Sequence, residues 1–123
     1  MQPSQKHVPD ASEVMTRALL QAAEHLALSQ KEIGQILGVS AASVSRLGRE
    51  RTVHPRSKEG ELALLFLRMY RSLDSIVGGS ERAAAQWYRA ENRHLGGVPA
   101  ELVKTVTGLA NVAEYLDAMR GRL

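Results

Sequence analysis

Small and cationic residues share one spacing in the middle of this 123-residue chain. On a helix advancing 100° per residue, Ala42, Ser45, Arg46 and Arg49 fall on one side and Val44 and Leu47 on the other, with Ala41 and Ser43 flanking the first set. Small side chains let a backbone approach base edges, and arginine reads guanine through a fork or grips phosphate. The chemistry this predicts is non-covalent recognition of DNA. Nothing nearby suggests bond-making chemistry. His7, His25, His54 and His94 are scattered without metal-ligand spacing, Glu59 and Glu61 fall on different sides of a helix, and no glycine-rich phosphate loop is present. No catalytic, metal-ligating or cofactor-binding residue is predicted, and the chain does not read as an enzyme.

The elements that must hold this face are legible around it. Ser29-x-x-Glu32 has the form of a capping box opening a helix with Ile33, Ile36 and Leu37 on one stripe. Gly34 is small where a second helix crosses closely, and Gly38 can adopt the left-handed conformation that stops the first. Ser40 then caps the second helix. Ser29 to Leu47 therefore reads as a helix-turn-helix, its DNA-facing set being Ser29, Gln30, Ser40, Ala41, Ala42, Ser43, Ser45, Arg46 and Arg49. The amide groups before Glu32 offer a further place for a phosphate. A twofold pair on a palindromic operator is expected, since one such unit grips few base pairs.

Stepping outward, residues 1–10 read as a flexible arm. A helix from Ala11 to Ala27 follows, opened by Asp10-x-x-Glu13 with Val14, Ala18, Leu19, Ala22 and Leu26 as its apolar stripe. Residues 51–58 form a basic linker broken at His54-Pro55. A long helix, Lys58 to Val77, ends at Gly78-Gly79. Ser80 caps another over Glu81 to Glu91, a glycine loop spans Asn92 to Val98, and two more helices run from Pro99 to Thr105 and Gly108 to Arg120. No segment alternates as a strand does. The expected fold is all-α, with a helix-turn-helix bundle over residues 11–57 and a second helical unit over 58–123. The long helix, with Leu64, Leu65 and Leu67 spread around it, is the expected homodimer contact.

Composition sets outer bounds. Net charge is +3, and the surplus lies in one half: residues 1–58 hold eight Lys/Arg against five Asp/Glu, and residues 59–123 hold eight of each. No cysteine is present, which excludes disulfides and thiol chemistry. The longest apolar run, Leu62 to Leu67, is too short for a membrane span, and MQPSQKHVPD lacks a signal-peptide core. A cytoplasmic location with no membrane partner is expected.

Taken alone, periodicity leaves residues 58–123 without a use. The ordered set Trp87, Asn92, Gly96-Gly97, Pro99-x-x-Leu102, Thr107-Gly108, Val112, Leu116 and Gly121, behind a helix-turn-helix, resembles the C-terminal domain of the Xre–ParS–MbcA antitoxins. That resemblance implies a type II toxin–antitoxin system. The partner would be a RES-domain toxin that consumes NAD or ADP-ribosylates a target. The antitoxin would obstruct the toxin's NAD pocket with its C-terminal end and repress its own operon. Trp87, Asn92, Arg93, Arg120, Gly121, Arg122 and Leu123 are the toxin-binding residues it implies. The family often ends in glycine followed by apolar or aromatic residues, whereas this chain ends Arg120-Gly121-Arg122-Leu123. From the residues themselves, Trp87 reads as core and Asn92 as the organiser of its loop. Two other readings stand beside the antitoxin: a plain repressor whose second half only dimerises, and a structural adaptor that has lost DNA.

Overall fold

A computed structural model describes residues 8–123 of the chain, so most of the arm expected over residues 1–10, His7 included, lies outside it. Among the described residues the elements are α1 (Ala11–His25), α2 (Gln30–Leu37), α3 (Ala41–Ser45), α4 (Lys58–Ile76), α5 (Glu81–Arg89), α6 (Pro99–Leu102) and α7 (Val106–Arg120). None is long and apolar enough to cross a membrane. The fold is all-helical, as the periodicity implies.

Most helices begin where short polar side chains can accept an otherwise unpaired amide. Asp10 Oδ1 accepts from Glu13 N at 2.9 Å, and Ser80 Oγ accepts from Ala83 N at 3.1 Å. Ser57 and Thr105 do the same for α4 and α7. With Thr105 as its cap, α7 starts at Val106, two residues before the Gly108 expected from sequence. Helix ends depart further. α1 stops at His25 rather than Ala27, because Ala27 takes a left-handed φ of 57° and Leu28 N bonds back to Ala23 O at 2.9 Å. That is the glycine-type stop made with alanine. α4 and α5 close at Ile76 and Arg89, one and two residues early, and α6 is a single turn that ends at Leu102, not Thr105.

The helices surround one continuous core. α4 lies at its centre and touches α1, α2, α5 and α7, its pairing with α7 being the most extensive. Phe66, Met69 and Leu73 of α4 are fully buried, each contributing about 1.5–3 kcal/mol of apolar transfer. Against them stand Leu19 of α1 and Leu26 just after it, Tyr88 of α5, and Leu109, Val112 and Leu116 of α7. The stripe of α1 is rotated from the one read in sequence: Met15 and Ala23 are buried, while Val14 is 56% exposed. Buried Thr16 fixes the linker, donating to Ser12 O at 2.7 Å and accepting from Val53 N at 2.8 Å. Across α4 and α7, Asp117 accepts from Ser72 Oγ and Arg68 Nε, both at 2.6 Å. The Ser72 hydroxyl, then Arg68, holds this carboxyl below its ordinary value against the opposing effect of burial.

Candidate functional site

The first site is built from α2 and α3. The capping box is complete: Ser29 Oγ accepts from Glu32 N and Glu32 Oε1 accepts from Ser29 N, both at 3.1 Å. Ile33, Ile36 and Leu37 are buried. A Cβ on Gly34 would stand 2.5 Å from Val39 O, so the close approach is to the turn backbone leading into α3. Gly38 closes α2 with φ 74°, and Ser40 Oγ accepts from Ser43 N at 3.1 Å to open α3. Val44 and Leu47 face the core at 3% and 5% exposure.

α3 is shorter than the spacing argument needs. It ends at Ser45, with Arg46 as its cap, and the chain then turns through Gly48 at φ 84°. Ser29, Gln30, Ser40, Ala41, Ala42 and Arg46 are exposed, and Ser43 and Ser45 are half-buried. Ser45 Oγ donates to Ala42 O at 2.7 Å. Arg49 does not continue the helical face. It sits beyond the turn, and its Nη2 donates to Ser45 O at 2.8 Å, satisfying a carbonyl at the end of α3. The linker is also less open than its composition suggests, because Arg51 is paired with Glu59 of α4.

The second candidate site divides in two. On one side, Trp87 is half-buried and stacked on Tyr115 of α7, ring centres 6.4 Å apart at 15°. His94 lies against the same tyrosine at 5.9 Å. The fully buried aromatic of α5 is Tyr88, not Trp87, and burial pushes its phenol well above the ordinary range. Asn92 organises the loop as read: its Oδ1 accepts from Leu95 N at 3.1 Å, and its main chain pairs with Gly97. Arg93 beside it is exposed. The second part is the tail. Arg120, Gly121, Arg122 and Leu123 are exposed, Leu123 by 80%. Arg120 and Gly121 border a cavity of about 570 Å³ between α4 and α7, shared with Leu64, Leu67, Arg68, Arg71, Ser72 and Asp117. At 100° per residue, Arg120 stands roughly 140° around α7 from Tyr115, so the tail and the aromatic stack occupy different sides of that helix.

Contacts between distant segments fix α5 against the first half. His25 Nδ1 and Tyr70 Oη are 2.6 Å apart, and His25 Nε2 lies 3.2 Å from Glu81 Oε1. At the other end of α5, Arg89 pairs with Glu32 through both terminal nitrogens and donates to Ala27 O at 3.1 Å. These partners, like Tyr115, carry no local signature in the sequence. Among the described residues no cluster of three acidic, histidine or cysteine side chains could hold a metal ion.

Comparison with known proteins agrees with this division of labour. Residues 6–68 match the family model of the antitoxin Xre-like helix-turn-helix domain. Residues 72–122 match that of the antitoxin Xre/MbcA/ParS C-terminal toxin-binding domain. No curated protein matches significantly. The fold is similar to a chain in the crystal structure of the M. tuberculosis MbcT–MbcA toxin–antitoxin complex, with TM-score 0.67 and 25% identity over 89% of this chain and 96% of that one. A helix-turn-helix with an open α3, joined to a matched toxin-binding domain, places this chain in the Xre/MbcA/ParS antitoxin family.

Proposed function

We propose that the toxin this antitoxin neutralises is a RES-domain enzyme that consumes NAD or uses it to ADP-ribosylate a target, and that the tail obstructs its NAD pocket. The observation that carries this reading is the exposure of Arg120, the last residue of α7, and of Gly121, Arg122 and Leu123 after it. Arg120 and Arg122 can pair with carboxylates in that pocket. Trp87, Arg93 and the Asn92 loop then supply a broader contact on the other side of α7. NAD belongs to the toxin in this scheme, and the antitoxin carries no cofactor.

The same chain represses its own operon, with residues 11–57 on a palindromic operator and residues 58–123 on the toxin. Ser29, Gln30, Ser40, Ala41, Ala42, Ser43, Ser45 and Arg46 form the DNA face, and Arg49 supports its end. A homodimer forms through α4, where Leu64 is 50% exposed. Leu65 is half-buried and Leu67 largely buried, so Leu64 with its exposed neighbour Val14 offers the apolar contact. Cytoplasmic residence goes with both tasks.

Co-expression with an adjacent RES-domain reading frame tests the central claim. Full-length protein should restore growth, and protein lacking Arg120–Leu123 should fail to do so while keeping its melting temperature. Intact protection by the shortened chain would refute occlusion by the tail.

A further inference from the structure

The recess between α4 and α7 is lined by more positive charge than the fold uses. Arg68 and Arg71 come from α4 and Arg120 from the last turn of α7, around a volume of about 570 Å³. One carboxylate, Asp117, lies among them, and both its oxygens are occupied: Oδ1 accepts from Ser72 Oγ and Oδ2 from Arg68 Nε, each at 2.6 Å. Three guanidiniums against one carboxylate leave two positive charges over. Arg71 and Arg120 are exposed, and their side chains make no hydrogen bond or ion pair among the described residues. The helix dipole accounts for a cation at the end of α7. It does not account for Arg68 and Arg71, which stand mid-helix and one turn apart, where like charges repel. The same stripe of α4 carries Leu64 and Leu67, so one wall of the recess is apolar. Leu64 also borders the neighbouring recess that holds Val14. The homodimer contact proposed above therefore lies on one flank of this leucine and the cationic recess on the other.

We propose that this recess binds a phosphate monoester with an apolar body, the chemistry of a mononucleotide, with its phosphate on Arg71 and Arg120 and its base against Leu64 and Leu67. A phosphate monoester carries a charge of about −1.5 to −2 at pH 7, which matches the surplus. A single carboxylate would leave one positive charge over. Guanidinium forks take phosphate oxygens in pairs, which a lysine cannot do. Arg68 is a positioning residue: held by Asp117, it adds its charge to the recess from a fixed place. Asp117 does not repel the ligand as a free carboxylate would, because Ser72 and Arg68 already occupy it. The volume falls within the range of about 300–1,000 Å³ found for small-ligand sites. Bare phosphate would fill little of it and would leave the leucine wall uncovered.

Calorimetric titration of the full chain with AMP, adenosine and inorganic phosphate at low salt tests the site without toxin or DNA. AMP should bind about tenfold more tightly than either fragment, since charged hydrogen bonds and apolar contact add. Its affinity should fall as salt rises. Arg71→Ala should weaken AMP binding about tenfold and keep the wild-type melting temperature, because the side chain bonds to none of the described residues. Arg71→Lys, which keeps the charge and loses the fork, should recover part of the affinity. Amide shifts on adding AMP should centre on Ser72, Asp117 and Gly121 and leave α3 unmoved. AMP that fails to bind at millimolar concentration in low salt overturns the site, as does binding that survives Arg71→Ala undiminished. Equal affinity for AMP and inorganic phosphate overturns the nucleotide assignment. None of these failures touches the antitoxin reading, which needs no ligand in this recess.

Discussion

Along α3 the outward side chains hold up little of the fold, whereas around the Asn92–Gly97 loop the recognisable residues are occupied in building it. Ala41, Ala42 and Arg46 face outward over a buried Val44 and Leu47. Asn92, by contrast, spends its side chain on Leu95 N and its main chain on Gly97. Nearby, Gly108 has no side chain because one would not fit, since its Cβ would fall 1.9 Å from Leu102 O. A motif residue can therefore mark an open face in one region and the absence of spare room in the other. In the second region the surface available for binding is made by residues beside the motif, such as Arg93, His94 and Tyr115.

The contrast breaks most visibly if Gly108 can be replaced. The obstructing atom is backbone, so it cannot swing aside, and Gly108→Ala should cost about 3 kcal/mol, the upper part of the usual range for overpacking. Denaturant unfolding measures it, and an unchanged midpoint would remove the close crossing of α6 and α7. Arg46→Ala sharpens the other side. Binding to a palindromic promoter site should weaken by about 1–3 kcal/mol if Arg46 reads a base. Its melting temperature should stay put, since the exposed side chain reaches Ser43 Oγ at a long 3.5 Å. A matching loss of stability would put Arg46 in the same class as Gly108.

What the sequence disclosed follows the range of each interaction. Caps such as Asp10, Ser29, Ser40 and Ser80 act on amides three residues ahead, so their pattern is visible in a short window. The all-helical class follows equally from local periodicity. Helix ends are harder. α1 stops on an alanine in a conformation normally given to glycine. α3 stops at Ser45 although the apolar spacing continues through Leu47, and that early stop takes Arg49 off the outward face expected from the spacing and puts it at the end of the helix. Pairs such as Arg89 with Glu32, His25 with Tyr70, and Arg68 with Asp117 are 57, 45 and 49 residues apart. Their members look like ordinary surface residues until packing brings the helices together. The site is therefore clearest in sequence on α3, where one short element carries it, and least clear at α5, whose importance lies in what its ends touch.

Acid titration probes the pair of Arg89 with Glu32. Arg89 holds the Glu32 carboxyl down, with burial opposing it and the Ser29 amide assisting, so its pKa falls from the ordinary 4.5 to about 2. The folded value is the lower one, so the unfolded chain takes up the proton first as pH falls. The stabilisation is complete above pH 4.5 and drains away between 4.5 and 2. Arg89 is 40% exposed, and solvent screening keeps the contribution below about 1 kcal/mol. Glu32→Gln preserves an oxygen for Ser29 N and removes the charge. It should flatten the stability curve across that window, while Gly108→Ala lowers the curve at every pH. Were Glu32→Gln to follow wild type from pH 4.5 to 2, the fork between α5 and α2 would contribute nothing measurable to folding.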